Sequence, residues 1–248
     1  YEGYLNLSNM YSLDGEVFKA IGILYDYLNN IDENEEVVTA IAVNLLNAEE
    51  LNDLEKHINK YIDKYENYTL CYLKGFILTK TDKISESEYY FKKSISLNFN
   101  FWNSYDFLLK QYEKQSKLKD FKNLIDTAKK IFKNNAKLIY YESLYFFREK
   151  DYEKSFKILT NNENEQRLLS QQNDVELADY FHLLSRVYEK LGFYNESYSL
   201  AIKRNKTILN FKENKKFNKE LILDTITHYK KFFNKQDNTI SKIKFDGI

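Results

Sequence analysis

A repeated pattern of small, large and aromatic residues constrains this chain more than any other feature of its sequence. The pattern restarts at Tyr68, Trp102 and Ala136, which are spaced 34 residues apart. Within each copy, two apolar stripes with helical spacing are separated by a short polar turn. A period of this length indicates a solenoid of stacked helical hairpins, because each hairpin can bury its apolar face only against its neighbours.

The best-formed copy of the pattern lies at Ala178–Arg204. Its first helix carries the small residue Ser185, its turn carries Gly192, and its second helix carries Ser197 twelve positions after Ser185. Small residues on facing helices allow the two backbones to approach closely. We therefore predict that the two helices of this hairpin touch where the serines meet.

The composition favours helices over sheets. The chain has no proline and only six glycines, so it is poor in the residues that join strands through tight turns. Aromatic residues are abundant, with 22 Tyr and 18 Phe, and we interpret this, together with the heavy use of Lys, Asn and Ile, partly as a bias of AT-rich coding sequence.

Charge and cysteine content narrow the class of partner. The 37 basic and 37 acidic side chains cancel, which argues against a nucleic-acid partner. A single cysteine excludes an intramolecular disulfide and a cysteine-rich metal site. No apolar run is long enough to span a membrane, and no signal segment opens the chain, so we predict no membrane partner and a cytoplasmic location.

We predict an all-α fold of about six helical hairpins followed by a C-terminal capping helix. The hairpins are predicted at 1–33, 34–67, 68–101, 102–135, 136–162 and 178–211. An insertion is predicted at 163–177, as a polar loop with a short helical piece near Gln166–Ser170. The capping helix is predicted at 212–234, and 235–248 is predicted to be a tail or linker.

The period and the pattern resemble the tetratricopeptide repeat (TPR). The resemblance is carried by L-S-x-x-Y at Leu7–Tyr11, by D-Y-E-K-S at Asp151–Ser155 and by the whole of Ala178–Ala201. Two features depart from the family: the proline after the second helix is absent throughout, and Phe121 stands where the family has a small residue. The resemblance implies a right-handed α-solenoid.

No group of residues has the spacing of a catalytic or metal site. Gly15 and Gly22 do not form a phosphate-binding loop. The three histidines, His57, His182 and His228, lack the paired spacing of metal ligands and are interpreted as surface or packing residues. We therefore predict no catalytic residue, no metal and no cofactor.

The TPR resemblance also implies a partner. In that family the first helices of successive repeats line a concave groove that holds extended peptides, so a protein or peptide ligand is expected. The alternative for the aromatic candidates is that they pack in the core. The candidate groove residues, transferred by position, are Tyr72, Phe76, Phe107, Lys110, Tyr140, Leu144, Phe147, His182 and Arg186.

The C-terminal third resembles the repeat region of bacterial TPR–sulfotransferase fusion proteins. The matching features are Y-F-H-L-L-S-R-V-Y-E-K-L-G-F-Y-N-E-S-Y, Asn205, the pair Phe232 and Phe233, and K-I-K-F-D-G-I at Lys242–Ile248 as the lead-in to a strand. In that family the strand is followed by a Pro-Arg-Ser-Gly-Thr loop that binds the sulfate donor. This loop is absent here, so the chain itself is predicted not to be an enzyme.

Three functions remain in competition at this stage. The first is a scaffold that presents a protein or peptide substrate to an adjoining sulfotransferase domain. The second is a free-standing TPR adaptor, and the third, which the missing motif disfavours, is a self-sufficient enzyme. The chain begins at Tyr1 rather than Met, and we expect it to be part of a longer protein.

Overall fold

The computed structural model describes residues 1–133, 135–170 and 174–210, and all the regular secondary structure in them is helical. The helices are α1 (Glu2–Leu13), α2 (Val17–Asn30), α3 (Glu35–Asn47), α4 (Leu51–Tyr61), α5 (Tyr68–Lys80), α6 (Ile84–Leu97), α7 (Trp102–Lys114), α8 (Leu118–Ile131), α9 (Ala136–Arg148), α10 (Tyr152–Leu159), α11 (Asn162–Leu169), α12 (Asp174–Lys190) and α13 (Tyr194–Asn210).

The described residues divide into two compact units, the first ending at residue 141 and the second beginning at residue 142. The first unit contains the hairpins α1/α2, α3/α4, α5/α6 and α7/α8, together with the start of α9. The described part of the second unit contains the rest of α9 and the helices α10 to α13.

The six hairpin turns share one backbone conformation. Each turn contains one residue with positive φ, and the next residue donates its N–H to a carbonyl five positions earlier, as in Glu50 N to Leu45 O at 3.0 Å. This is the 6→1 bond of a Schellman motif, which satisfies carbonyls at the end of the first helix. The positive-φ residues are Gly15, Glu49, Asp82, Ser116, Lys150 and Gly192.

The core of the first unit is centred on α3. Its residues Val37, Val38, Ile41 and Ala42 have no exposed surface, and the helix packs against α1, α2, α4 and α5. A helix packed on several sides must be apolar around most of its circumference. The sequence of α3 meets this requirement, since eight of its thirteen residues are hydrophobic.

Small residues set the closest helix approaches. In the first unit, a Cβ on Gly75 would lie 2.9 Å from two ring atoms of the fully buried Phe91, so α5 needs glycine at this position. In the second unit, Ser185 Oγ donates to the Ser197 carbonyl at 3.0 Å. The two serines therefore meet across the α12/α13 hairpin, as their spacing predicts.

Phe121 fits although the TPR pattern has a small residue there. Its side chain is fully buried, and its ring lies edge-on to Tyr141 with the ring centroids 5.9 Å apart. A large side chain at this position thus fills space between α8 and α9 within the first unit.

In the described part of the second unit, the helical piece predicted near Gln166–Ser170 is longer and begins earlier than expected. An α-helix, α11, spans Asn162–Leu169, and the Asn161 side chain caps it by accepting from the backbone N–H groups of Glu163 and Asn164. The following helix begins at Asp174, four residues before the predicted hairpin start at Ala178. The hairpin α12/α13 is therefore longer than the sequence pattern indicates.

The predicted all-α class is confirmed, because the described residues form successive helical hairpins. The predicted capping helix at 212–234 and the tail at 235–248 lie outside the described residues.

Candidate peptide-binding surface

Three aromatic residues form a continuous surface on the first helices of the third and fourth hairpins, which we call the aromatic shelf. Tyr72 and Phe76 lie one turn apart on α5, and Phe107 lies on α7. The ring of Phe107 contacts both others edge-on, with centroids 5.7 Å from Tyr72 and 5.6 Å from Phe76. All three are half-buried, so part of each side chain remains accessible.

The buried ring of Phe91 and the half-buried ring of Phe101 hold the aromatic shelf in place. Phe91 on α6 stacks on Phe107 with centroids 5.6 Å apart, and Phe101 lies edge-on to Tyr72 at 5.3 Å. Because Phe91 fits only where Gly75 leaves room for it, that glycine supports the shelf from below. Edge-on and offset ring pairs of this kind are the favoured aromatic geometries.

Two lysines border the shelf. Lys80 Nζ lies 5.3 Å from the ring centroid of Phe76, and Lys110 Nζ lies 5.4 Å from that of Phe107. Ammonium groups at this distance from a ring face are attracted by its quadrupole. The shelf therefore combines apolar rings with positive charge along both helices.

A buried carboxylate lies beside the shelf. Asp106 accepts from Lys110 Nζ at 2.8 Å and from Tyr141 Oη at 2.6 Å, and Lys137 Nζ lies 3.4 Å away. Burial alone would raise the pKa of the Asp106 carboxyl, but these hydrogen bonds and the two lysine charges hold it below its ordinary value. Asp106 is therefore ionised and fixes the direction of Lys110.

Tyr140 is the remaining candidate in the first unit. It is half-buried on α9, and its ring centroid lies 5.6 Å from that of Tyr141. Tyr141 is buried and carries the hydroxyl that reaches Asp106. Tyr140 thus lies next to the charged network in sequence and in space.

Four candidates belong to the second unit, and two of them, Phe147 and Arg186, are in contact. Phe147 is buried beside Tyr152, and the guanidinium carbon of Arg186 lies 4.9 Å from the Phe147 ring centroid. The Phe147 ring therefore supports Arg186 and offers a ligand little surface of its own. His182 is exposed one turn before Arg186 on α12, and Leu144 is half-buried on α9.

The other titratable residues considered in the sequence show no arrangement suited to catalysis in the described residues. Cys71 is buried, and burial raises the pKa of its thiol. His57 is buried in the first unit, away from the shelf, and His228 lies outside the described residues. No group of three His, Cys, Asp or Glu side chains able to hold a metal occurs in residues 1–133, 135–170 and 174–210.

Sequence reasoning missed the charged network beside the shelf. Asp106 and Tyr141 are 35 residues apart, and neither stands out in a single repeat. The signal that could have found them is positional: a carboxylate at the fifth residue of one repeat faces a tyrosine at the sixth residue of the next.

Comparison with solved structures identifies the fold. A tetratricopeptide repeat protein from Parabacteroides merdae matches with a TM-score of 0.66 at 10% identity, over 84% of this chain and 79% of that one. PilW, a type IV pilus biogenesis factor, matches with a TM-score of 0.67 at 12% identity, over 86% and 95%. YrrB, described as a TPR protein with an unusual peptide-binding site, matches with a TM-score of 0.54 at 15% identity, over 70% and 88%.

These similarities establish a TPR-type helical repeat fold, and at such low identity they establish the fold alone. No protein-family model matches the sequence, and no curated protein matches it. Among the described residues, no helix is both long enough and apolar enough to cross a membrane.

Proposed function

We propose that this chain is a non-catalytic TPR scaffold that binds an extended peptide or protein segment on the aromatic shelf of the first unit. The observation that carries the proposal is the shelf itself, in which three half-buried rings contact one another and pack against the buried ring of Phe91. Rigid aromatic surface of this kind supplies binding energy with little loss of side-chain entropy. YrrB supports the proposal as a protein of the same fold that is described as having a peptide-binding site.

The chemistry of the shelf selects the ligand. Its rings favour a segment with at least one apolar or aromatic side chain, and Lys80 and Lys110 disfavour flanking basic residues. A peptide bound there would lie across α5 and α7, since Phe107 touches the rings of both Tyr72 and Phe76.

The test is fluorescence polarisation with the full chain and labelled 12-residue peptides that carry a central Phe, Tyr or Leu. Matched peptides with Ser at that position are the ligand control. We expect Phe76→Ala to weaken binding of the apolar peptides by about tenfold, the usual effect of truncating a ring at the centre of an interface. Circular dichroism should show unchanged helicity.

Phe18→Ala provides the matched protein control. Phe18 is 67% exposed on α2, a second helix, and its truncation should leave peptide binding unchanged. Equal binding of the apolar and Ser peptides, or equal binding by wild type and Phe76→Ala, would contradict the proposal.

We further propose that the scaffold serves an adjoining sulfotransferase domain, with a free-standing adaptor as the alternative. The proposal is supported by the sequence run in α12 and α13 that matches the family's repeat region; Phe232, Phe233 and Lys242–Ile248 lie outside the described residues. Sequencing the coding region beyond Ile248 decides between the two. A Pro-Arg-Ser-Gly-Thr-type loop within a few tens of codons is expected, and its absence would leave the adaptor.

A further inference from the structure

A second concave site lies in the first unit, between the second helices α2 and α4. It has a volume of about 450 Å³, within the range of small-molecule sites. Half of the lining residues are apolar or aromatic, and four charged residues border the opening. The apolar and aromatic part of the lining includes Ile21, Tyr25, Leu28, Leu45 and Tyr61, and His57 lies among them.

The floor of this cavity carries a hydrogen-bonded pair of rings. His57 Nε2 lies 2.9 Å from the Val38 carbonyl, and His57 Nδ1 lies 3.2 Å from Tyr25 Oη. A carbonyl only accepts, so Nε2 carries the proton and Nδ1 of the neutral imidazole accepts from the Tyr25 hydroxyl. Burial lowers the pKa of His57, which keeps the ring neutral at pH 7.

This arrangement leaves the Tyr25 hydroxyl oxygen as a hydrogen-bond acceptor in the lining of the cavity. The Tyr25 hydroxyl donates its only proton to His57, so its oxygen can only accept a further hydrogen bond. Within residues 1–133, 135–170 and 174–210, no other donor reaches that oxygen.

The charged groups at the opening balance one another. Asp53 pairs with Lys56 at 3.0 Å, and Lys60 Nζ lies 4.8 Å from the Tyr61 ring centroid. Glu50 is the second acid of the lining, so two acids face two lysines. A net charge of zero favours a neutral ligand over an anion or a cation.

We propose that this cavity binds a small uncharged aromatic molecule that carries one N–H or O–H donor. Its ring lies between α2 and α4 against Ile21 and Leu28, and its donor bonds to Tyr25 Oη. The site is separate from the aromatic shelf, because its lining comes from α2, α3, α4 and the turn before α4, whereas the shelf lies on α5 and α7.

Indole and benzothiophene are the matched probes. They have the same ring size and shape, but only indole has an N–H donor. Saturation-transfer NMR titration of the full chain at pH 7.5 should show saturable indole binding, with benzothiophene about fivefold weaker, the usual effect of one hydrogen bond.

Tyr25→Phe removes the acceptor and keeps the ring. It should weaken indole about fivefold, to the level of benzothiophene, and leave benzothiophene unchanged. Tyr89→Phe, at a 59% exposed position on α6, is the control and should leave both affinities unchanged.

Leu28→Trp should fill the cavity and abolish binding of both probes, provided that its circular dichroism matches wild type. If this variant does not fold, Tyr25→Phe still decides the question. The proposal would be overturned if indole showed no saturable binding. It would also be overturned if indole and benzothiophene bound wild type with the same affinity and Tyr25→Phe changed neither affinity.

Discussion

Each of the six hairpin turns contains a residue in the left-handed region, and at only two of them is that residue a glycine. Glu49, Asp82, Ser116 and Lys150 adopt φ values between 55° and 65°, a conformation that costs an L-residue roughly 1–2 kcal/mol. The folded protein tolerates this cost because the positive-φ conformation is needed for the 6→1 hydrogen bond and for the packing of the two helices.

Replacing one of these residues by glycine should stabilise the protein. Ser116→Gly relieves the strain at φ 55° but adds freedom to the unfolded chain, so we expect a net gain of about 0.5–1 kcal/mol. Urea denaturation measures this change. Lys119→Gly, at an exposed position in the first turn of α8, is the control and should not stabilise the protein, because its backbone is already helical and gains nothing from the conformational freedom of glycine. A lower stability of Ser116→Gly than wild type would contradict the role assigned to the turn.

His57 should make stability depend on pH below neutrality. Its pKa in the folded protein is below the ordinary value of 6.5, chiefly because of burial, so the unfolded chain binds more protons in that range. The stability contributed by neutral His57 is therefore complete above pH 6.5 and is lost as the pH falls through the folded pKa.

The measurement is urea denaturation of wild type and His57→Gln between pH 7.5 and 5. As the pH falls, the unfolding free energy of wild type should decrease more than that of His57→Gln. His182→Gln is a separate comparison, because burial and the charges of Arg204 and Arg186 lower the pKa of that exposed histidine in the same direction. A constant difference between wild type and His57→Gln would show that His57 is not the group that titrates.

At the scale of helices, three carboxylates in the first unit connect one hairpin to the next. Each accepts a hydrogen bond from a tyrosine hydroxyl and pairs with a lysine, both from the following hairpin. Burial raises the pKa of the Glu88 carboxyl, but the hydrogen bonds from its partners outweigh burial and lower the pKa to about 2. The groups are Glu33 with Lys64 and Tyr65, Glu88 with Lys117 and Tyr112, and Asp106 with Lys137 and Tyr141.

The Asp106 group should contribute measurably to stability. Asp106→Asn and Tyr141→Phe should each cost about 1–2 kcal/mol in urea denaturation, because each leaves a buried polar group short of a partner. The double variant should cost less than the sum of the two, since both act on one contact.

Asp53→Asn is the matched control for the charge change. Asp53 and Lys56 form an exposed pair on α4, and such pairs contribute little, so the expected change is below about 0.5 kcal/mol. Additive costs for Asp106→Asn and Tyr141→Phe would show that the two side chains do not interact.

The helical hairpins could be predicted from the sequence because they depend on local patterns of residues. The 34-residue period and the paired small residues, such as Ser185 and Ser197, follow from short-range spacing. The tyrosine–carboxylate contacts were not predicted, because their partners are 24 to 35 residues apart and depend on how consecutive hairpins align. The abundance of tyrosine, interpreted partly as coding bias, thus has a structural use as well.

The candidate site was also predicted only in part. Tyr72, Phe76 and Phe107 come together, whereas Phe147 is buried beneath Arg186, because helical periodicity does not distinguish a half-buried ring from a buried one. Four of the left-handed turn residues were also missed, since Glu, Asp, Ser and Lys carry no sequence signal for positive φ.

At the scale of the whole molecule, the candidate surfaces differ between the two units. The first unit combines the aromatic shelf on α5 and α7 with the cavity between α2 and α4, and we propose chemically different ligands for the two sites. Among the candidate residues in the described part of the second unit, Arg186 and His182 are exposed, whereas the Phe147 ring is buried.

Hydrogen–deuterium exchange of the full chain, with and without a saturating apolar peptide, tests the central claim most directly. We predict that the peptide slows exchange in α5 and α7, which carry Tyr72, Phe76 and Phe107, and leaves α2 and α4 unchanged. Protection confined to α2 and α4, or to α12 and α13, would contradict the assignment of the aromatic shelf as the peptide-binding surface.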